Sequence, residues 1–251
     1  MQIIVQNLST NYKVKGKGDN LILLHGWGAN IDSFNLIFDE LAKTHKVYAL
    51  DLPGFGKTQA PSQAWSVGDY TNFTKEFLDK LKIEKAIFLG HSFGGRILIK
   101  LANKKKKKKK KMILTGAAGI KSKDNLRKNL FKAIAKTGKT ILSLPGLNGL
   151  KTKARKKLYT AAGTEDYLTA GELKKTFLKV TAEDLTPFLA NIKTKTLLIW
   201  GEQDKDTPIQ EGELMQKLIP NSKLHVIKNA GHYAFIDQPR KFLDIVSKTL
   251  S

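Results

Sequence analysis

The sequence contains no cysteine, which excludes disulfide bonds and thiolate metal sites. It also contains no apolar run near the roughly 18 residues that a membrane-spanning helix needs. Residues 1–7 lack the basic start and long apolar stretch of a secretory signal. We therefore expect a cytoplasmic protein without a membrane span.

Cofactor motifs are also missing. The chain has no glycine-rich phosphate loop with its lysine, and no histidine pair at metal-ligand spacing. No nucleic-acid-binding module is recognisable, and the sequence does not indicate an oligomeric state. We expect no cofactor, no metal and no nucleic-acid partner.

Acidic residues are scarce, with 22 against 44 basic residues, so the formal net charge is +22. Most of the excess lies in residues 104–180, which hold 23 basic and 4 acidic residues. Eight consecutive lysines run from Lys104 to Lys111. Because like charges repel, we expect a solvated, partly disordered surface segment there, with at most weak, salt-sensitive binding of polyanions.

Apolar runs indicate an α/β fold. Strand-like segments alternate with helical patterns after the first pair, which favours a mostly parallel sheet of about eight strands with helices on both faces. Ser66 and Asp69 have the spacing of a capping box and predict a helix that ends near Leu81. The predicted strands are 2–6, 10–14, 21–25, 46–51, 86–90, 112–115, 196–201 and 223–228.

Residues 90–95, GHSFGG, place Ser92 between glycines, after an apolar strand and before a helical pattern. This is the layout of a nucleophile elbow, in which small neighbours allow a strained turn to expose the hydroxyl. A serine hydroxyl needs a base and an acid that orients the base. His232 follows a strand-like segment and is the candidate base, and Asp204 follows another and is the candidate acid, with Asp206 and Glu202 as competitors.

The chain order of serine, aspartate and histidine resembles that of the α/β-hydrolase superfamily. Residues 21–28, LILLHGWG, are similar to the family's oxyanion segment, and residues 47–58 are similar to its strand and glycine-rich loop. The resemblance implies that the backbone N–H groups of Trp27 and Phe93 form the oxyanion hole. It also favours Asp204 as the acid, because the family places its aspartate three residues after the strand-ending glycine, here Gly201.

The other four histidines have simpler explanations. His25 lies in the oxyanion segment and is expected to be structural as well as close to the substrate. His91 is expected to point away from the nucleophile, and His45 and His225 are expected to be ordinary core or surface residues.

Residues 120–192 break the alternation of strand and helix and resemble the family's helical cap. The predicted division is a core of residues 1–119 and 193–251 with a cap of residues 120–192. An acyl pocket is expected between cap and core. Its candidate lining residues are His25, Gly26, Trp27, Gly28, Phe93, Tyr233 and Phe235.

These motifs predict a cofactor-independent serine hydrolase that acts on small-molecule esters or thioesters with small to medium apolar acyl groups. An alternative is a carbon–carbon bond hydrolase of ring-cleavage diketones, because similar triads perform that reaction. A third hypothesis is a non-catalytic binding protein that keeps the fold. Serine at the elbow argues against dehalogenase and epoxide hydrolase chemistry, for which the family uses an aspartate there.

Overall fold

A sheet of eight strands forms the centre of the fold in a computed structural model that describes residues 1–104, 108–121 and 169–250. The strands are β1 (Gln2–Val5), β2 (Leu8–Lys15), β3 (Asn20–Leu24), β4 (Lys46–Leu50), β5 (Lys85–His91), β6 (Lys108–Thr115), β7 (Thr196–Gly201) and β8 (Ser222–Ile227). Their spatial order is β1-β2-β4-β3-β5-β6-β7-β8. Strand β2 pairs antiparallel with β1 and β4, and all the other pairs are parallel. The predicted fold class is therefore confirmed.

Helices cover both faces of this sheet. In the described ranges they are α1 (Asn35–Leu41), α2 (Val67–Lys80), α3 (Phe93–Ala102), α4 (Lys174–Ala182), α5 (Thr186–Leu189), α6 (Ile209–Leu218), α7 (Ala234–Asp237) and α8 (Pro239–Leu250). Short 3₁₀ helices precede α1 at Ile31–Phe34 and α4 at Gly171–Leu173. None of the described helices is long and apolar enough to cross a membrane.

Strand β3 shows how the sheet separates two apolar cores. Leu21 and Leu23 pack with α1, α7 and α8 on one face, whereas Ile22 and Leu24 pack with α2, α3 and α6 on the other. Successive side chains of a strand point to opposite faces, so a strand buried on both faces is apolar throughout.

Helix α2 begins at the predicted capping box. The Ser66 hydroxyl accepts a hydrogen bond from the Asp69 N–H at 3.3 Å, and the Ser66 N–H donates to the Asp69 carboxylate at 2.7 Å. This reciprocal pair satisfies two amides that the first turn leaves without helical partners. The helix is capped at Leu81, as predicted.

The register of the parallel strands brings their carboxyl ends to one edge. Leu24 of β3 pairs with Gly90 of β5, and Thr115 of β6 pairs with both His91 of β5 and Ile199 of β7. Strand β4 lies on one side of β3, and the next strand in the chain, β5, lies on the other side of β3. Such a reversal of strand order opens a crevice at the carboxyl ends of the strands, where α/β proteins bind ligands.

The second half of the lysine run is ordered, so the prediction of a partly disordered segment is wrong for residues 108–111. Strand β6 begins at Lys108, which pairs with Lys85. Lys111 is half-buried, and its ammonium group donates to the carbonyl oxygens of Thr249 and Leu250 at the end of α8. Backbone pairing with β5 satisfies the peptide groups whatever the side chains are, and a cation is favourable at a helix carboxyl end. Residues 105–107 lie outside the described residues.

The predicted cap of residues 120–192 falls largely outside the described residues, because 122–168 are not among them. Its final part contains the 3₁₀ helix Gly171–Leu173 followed by α4 and α5. The described end of the segment is thus helical, and the domain boundaries stay a prediction.

Candidate active site

Ser92 joins β5 to α3 in a strained backbone conformation, with φ 48° and ψ −107°. A non-glycine residue there is costly and persists only when its surroundings fix it. Its N–H donates to Thr115 O at 3.1 Å, and its carbonyl accepts from the Ala118 N–H at 3.2 Å. Strand β6 and the loop after it therefore hold the turn in place.

Glycine is required at positions 90 and 94, on either side of this turn, because other backbone atoms approach both positions closely. A Cβ atom at Gly94 would lie 2.2 Å from the carbonyl oxygen of Leu24, and one at Gly90 would lie 2.7 Å from the carbonyl oxygen of Gly94. Both separations are below van der Waals contact. The two glycines let α3 begin directly against the end of β3.

His232 and Asp204 form a hydrogen-bonded pair. His232 Nδ1 lies 2.9 Å from Asp204 Oδ2 and 3.1 Å from Oδ1. The carboxylate follows β7 and is buried, and the N–H groups of Asp206 and Thr207 donate to its Oδ1 at 3.0 and 2.9 Å. A carboxylate accepts the Nδ1–H, which leaves Nε2 of the imidazole as a proton acceptor.

Two further residues complete this pair, and the sequence reasoning missed both. The Thr207 hydroxyl lies 2.9 Å from Asp204 Oδ2 and 3.3 Å from His232 Nδ1. Gly116 has φ 48°, and a Cβ atom there would lie 3.1 Å from both Asp204 Oδ2 and His232 Nδ1. A threonine three residues after the aspartate and a glycine directly after β6 were the only signals in the sequence.

Competing acids and histidines take other positions. Asp206 supports Asp204 through its own N–H, and Glu202 is exposed. His45 precedes β4 and contacts the Thr44 hydroxyl, while His225 lies on the edge strand β8. In the described part of the chain, Asp204, Asp206 and His232 are the one group with three potential metal-ligand atoms within 4.8 Å of one another.

His25 is fully buried and holds the candidate oxyanion segment. The Leu52 N–H donates to its Nε2 at 3.0 Å, so Nδ1 carries the proton and donates to Gly26 O at 2.7 Å. Burial lowers the pKa of His25 to about 4 despite the Gly26 hydrogen bond and the charge of Asp51. The expectation that His25 lines a substrate pocket is therefore wrong, because both ring nitrogens are used inside the protein.

The oxyanion segment lies against the nucleophile elbow. The Gly94 N–H donates to His25 O at 3.0 Å. A Cβ atom at Gly26 would lie 2.8 Å from His91 Nδ1 and 3.3 Å from Ser92 Cβ, so only glycine fits there. Phe93 is the first residue of α3, and the amide at that position has no acceptor within its own helix.

His91 does not simply point away from the site. It is fully buried, and its Nε2–H donates to the carbonyl oxygen of His232 at 3.0 Å. Its ring lies 4.7 Å from that of His232. Burial, assisted by the nearby His232 and His25, holds the pKa of His91 well below its ordinary value. A neutral imidazole thus joins the strand of Ser92 to the loop of His232.

Aromatic rings form a wall beside the elbow. Trp27 makes edge contacts with Phe55 at 4.9 Å, Phe93 at 5.4 Å and Phe177 at 5.1 Å between ring centroids. Phe55 belongs to the glycine-rich loop and Phe177 belongs to α4. Trp27 is half-buried, whereas Phe93 is almost fully buried.

The remaining candidate pocket residues divide into three kinds. Phe235 is fully buried between Phe34 and Phe242, so its assignment to a pocket is wrong. Tyr233 is half-buried and stacks on His91 with centroids 4.5 Å apart. Gly28 is exposed, with open space around it and φ 71°.

Asp51, in the motif of residues 47–58, fixes the glycine-rich loop. It is buried, and its carboxylate accepts from the Ile31 N–H, the Asn11 side chain and the Lys57 N–H at 2.8, 2.8 and 2.9 Å. A Cβ atom at Gly56 would lie 2.3 Å from this carboxylate. A separate cavity of about 460 Å³ beside Asp51 contains none of the residues Ser92, Asp204 and His232.

Arg96 connects the nucleophile helix to α4. Its Nη1 donates to Val180 O at 2.8 Å and to Glu183 O at 2.9 Å. Burial lowers the pKa of Arg96 to about 10, although the carboxylates of Glu211 and Glu183 oppose the shift. Lys100, one turn further along α3, forms an ion pair with Glu183.

Known proteins share this architecture. A family model described as alpha/beta hydrolase fold matches residues 19–239. The 2-hydroxy-6-oxo-6-phenylhexa-2,4-dienoate hydrolase of Burkholderia cepacia is 27% identical over 92% of this chain and 87% of its own. An esterase from Exiguobacterium antarcticum superposes with a TM-score of 0.77 at 23% identity, over 100% of this chain and 99% of its own. A meta-cleavage product hydrolase from Pseudomonas fluorescens IP01 superposes with a TM-score of 0.72 at 24% identity, over 99% of this chain and 96% of its own.

The structural likenesses lie below 25% identity and show the fold alone. The family model spans most of the chain and includes the elbow at Ser92, Asp204 and His232. The chain therefore belongs to the alpha/beta hydrolase fold family and is a hydrolase of that fold.

Proposed function

We propose that this hydrolase is a cofactor-independent serine esterase or thioesterase for small to medium apolar acyl groups. The observation that carries the proposal is the His232–Asp204 hydrogen bond of 2.9 Å, at the sheet edge where Ser92 occupies its strained turn. A base oriented by a carboxylate beside a serine on an elbow is the arrangement that activates a hydroxyl.

In the proposed first step, Ser92 Oγ attacks the substrate carbonyl while His232 Nε2 takes its proton. Asp204 holds the imidazole in the tautomer with Nδ1–H and stabilises the imidazolium that forms. General-base assistance of this kind contributes about 10²- to 10⁴-fold in rate. The proton then passes from His232 to the leaving alcohol or thiol, and an acyl-enzyme remains on Ser92.

The backbone N–H groups of Trp27 and Phe93 are the proposed oxyanion donors. The position of Phe93 at the start of α3 supports this role, because the helix dipole favours negative charge there. In the second half of the reaction, water loses a proton to His232 and attacks the acyl carbonyl. The bond to Ser92 Oγ then breaks, His232 returns the proton to that oxygen, and the carboxylic acid leaves. No step needs a metal or a cofactor.

The aromatic wall supports the proposed preference for apolar acyl groups. Trp27 presents a half-buried indole next to Phe93, whose amide is a proposed oxyanion donor. Pockets for small molecules are mostly apolar, with a few polar groups that orient the ligand. We further propose that residues 120–192 form a cap over this wall and that the protein is cytoplasmic.

Hydrolysis of p-nitrophenyl esters with acyl chains from two to twelve carbons tests the proposal. We expect turnover that depends on chain length and falls at least about 10³-fold in Ser92→Ala. Equal turnover by wild type and Ser92→Ala would reject Ser92 as the nucleophile. Absence of turnover by folded wild type at every length would reject the esterase proposal.

A second candidate is hydrolysis of a carbon–carbon bond in a vinylogous diketone. The Burkholderia cepacia relative, whose name gives it a dienoate substrate, favours this candidate. Turnover of such diketones well above that of any p-nitrophenyl ester would favour it over ester hydrolysis. Loss of the diketone activity in Ser92→Ala would still assign Ser92 to the reaction.

A further inference from the structure

The hydroxyl of Thr207 lies among three polar groups of the candidate site. It is 2.9 Å from Asp204 Oδ2, 3.1 Å from the carbonyl oxygen of Gly116 and 3.3 Å from His232 Nδ1. Its own N–H donates to Asp204 Oδ1 at 2.9 Å. Thr207 thus contacts both oxygens of the carboxylate that faces His232, and it is itself buried.

A hydroxyl has one proton to donate, and here it has two acceptors. Asp204 carries a full negative charge when ionised, and hydrogen bonds to charged acceptors are about twice as strong as neutral ones. The Thr207 proton therefore points to Asp204 Oδ2 in preference to Gly116 O. Oδ2 also accepts the His232 Nδ1–H, so the two donors share one oxygen.

Gly116 leaves the Asp204 carboxylate little room to move. Its φ of 48° and the 3.1 Å separation between its Cβ position and Asp204 Oδ2 place the β6 loop directly against the carboxylate. Trp200 Nε1–H donates to Thr207 O at 2.9 Å and fixes the threonine backbone from the core side. The carboxylate is thus held between two rigid segments.

We propose that Thr207 is a positioning residue that orients the Asp204 carboxylate toward His232 and withdraws part of its negative charge. This inference rests on the proposed function, in which His232 is the base. Thr207 acts through Asp204 and does not touch the substrate.

Other charged or titratable groups also face His232. They are Asp204 and Asp206 of the loop after β7, His91 of β5, and Tyr233, whose ring centroid lies 5.5 Å from that of His232. Asp237 of α7 accepts from the N–H of Gly231, the residue before His232. None of them changes in the substitutions used below. A difference between variants of Thr207 therefore reports on the hydroxyl.

The first experiment compares Thr207→Val with Thr207→Ser in the full chain, on the best p-nitrophenyl ester. Valine has the shape of threonine without the hydroxyl, whereas serine keeps the hydroxyl. We expect kcat to fall about tenfold in Thr207→Val, as for one lost hydrogen bond, with KM within about twofold of wild type. Thr207→Ser should recover most of kcat. Thr249→Val, on the remote helix α8, is the matched control and should equal wild type.

The pH profile separates this role from simple structural support. Without the hydroxyl, Asp204 keeps its full charge and favours the imidazolium, so the acidic limb of kcat/KM should move up by about half a pH unit in Thr207→Val. The proposal would be overturned if the acidic limb of kcat/KM did not move in Thr207→Val. It would also be overturned if Thr207→Ser lost as much kcat as Thr207→Val.

A substrate-free measurement keeps this inference separate from the proposed function. In proton NMR, the His232 Nδ1–H resonance should move downfield in Thr207→Val, because a more charged carboxylate makes a stronger hydrogen bond. His232→Asn assigns the signal. An unmoved signal would overturn the role of Thr207 even if the esterase is active. A moved signal in an inactive wild type would support Thr207 and reject the esterase alone.

Discussion

At the scale of single residues, two neutral histidines brace the candidate active site. His25 ties the oxyanion segment to the end of β4, and His91 ties the nucleophile strand to the carbonyl of His232. Burial lowers the pKa of both rings, to about 4 for His25 and well below the ordinary value for His91. Protonation of either ring would put a positive charge in the core, and at His25 the Asp51 carboxylate offsets only part of the cost.

This arrangement predicts that acid weakens the fold. Because the folded pKa of His25 is about 4 and its ordinary value is 6.5, the unfolded chain binds the proton more readily between these pH values. The stability contribution is full above pH 6.5 and is lost as the pH falls toward 4. We expect the free energy of unfolding in urea to decrease by about 3 kcal/mol or more over this range.

Variants identify the source of this loss. In His25→Asn, the free energy of unfolding should depend less steeply on pH between 6.5 and 4. In His45→Gln, directly before β4, it should depend on pH as steeply as in the wild type. A wild-type free energy of unfolding that stays constant from pH 6.5 to 4 would contradict neutral, buried histidines at these positions.

Gly94 gives a second prediction at this scale. Its missing side chain allows α3 to approach Leu24, so Gly94→Ala should destabilise the protein by about 2–4 kcal/mol, although alanine favours helices. Gly68→Ala in α2 is the control, because its Cβ would meet only the ends of two side chains in ordinary contact, the Ser66 hydroxyl at 3.4 Å and Lys100 Nζ at 3.5 Å. That variant should gain up to about 1 kcal/mol. Equal unfolding free energies for both variants in urea would argue against the close approach.

Candidate residues that lie in local motifs could be named from the sequence, and the structure shows the His232–Asp204 contact and the strained turn at Ser92. Ser92 follows from the glycines around it, and His232 and Asp204 follow from the strands before them. Thr207 was missed, since its role depends on a carboxylate, an imidazole and a carbonyl that only the folded chain brings together. Phe235 was predicted to line a pocket, and its complete burial depends on packing against Phe34 and Phe242 that the sequence alone does not give.

At the scale of elements, α3 connects the candidate active site to the segment that follows residues 122–168. Its first residue offers an amide to the candidate oxyanion hole, and Arg96 one turn later binds the carbonyls at the end of α4. Phe177 of α4 in turn contacts Trp27. Contacts made by α3, the helix that follows Ser92, therefore fix the position of α4.

Removing this connection should loosen α4. Arg96→Met leaves the Val180 and Glu183 carbonyls without their donor, so we expect a loss of about 2–3 kcal/mol and faster hydrogen exchange in α4 than in α2. Lys100→Met removes the ion pair with Glu183 and a cation–π contact with Phe188 at 5.6 Å, but it keeps the Arg96 hydrogen bonds, so the α4 amides should exchange more slowly than in Arg96→Met. Unchanged exchange of the α4 amides in Arg96→Met would show that α4 is held by other contacts.

Element positions were predictable where apolar patterning carries the information. All eight strands and α2 lie within a few residues of their predicted places, because buried strands and a capping box leave local signals. The beginning of β6 was not predictable, since its lysines have no strand pattern and their pairing partner, β5, is distant in the chain. Tertiary pairing overrides local preference there.

At the scale of the whole molecule, the residues that build the sheet and the residues that carry the excess positive charge lie mostly in different parts of the chain. The excess of basic residues lies mainly in 104–180, most of which is outside the described residues, and the sheet scaffold is nearly balanced. The sheet places the ends of β5, β6 and β7 side by side, which unites Ser92, Gly116 and Asp204. The match of the family model over residues 19–239 gives the family, and the reaction depends on the residues at the edge of the sheet.

Covalent labelling by a fluorophosphonate tests the central claim most directly. Such a reagent phosphonylates a serine only when a neighbouring base activates it. We predict one adduct per wild-type chain by intact-protein mass spectrometry, located on Ser92 by peptide mapping, absent in Ser92→Ala and formed at least about 10²-fold more slowly in His232→Asn. An unlabelled wild type, or an adduct that persists in Ser92→Ala, would contradict the account.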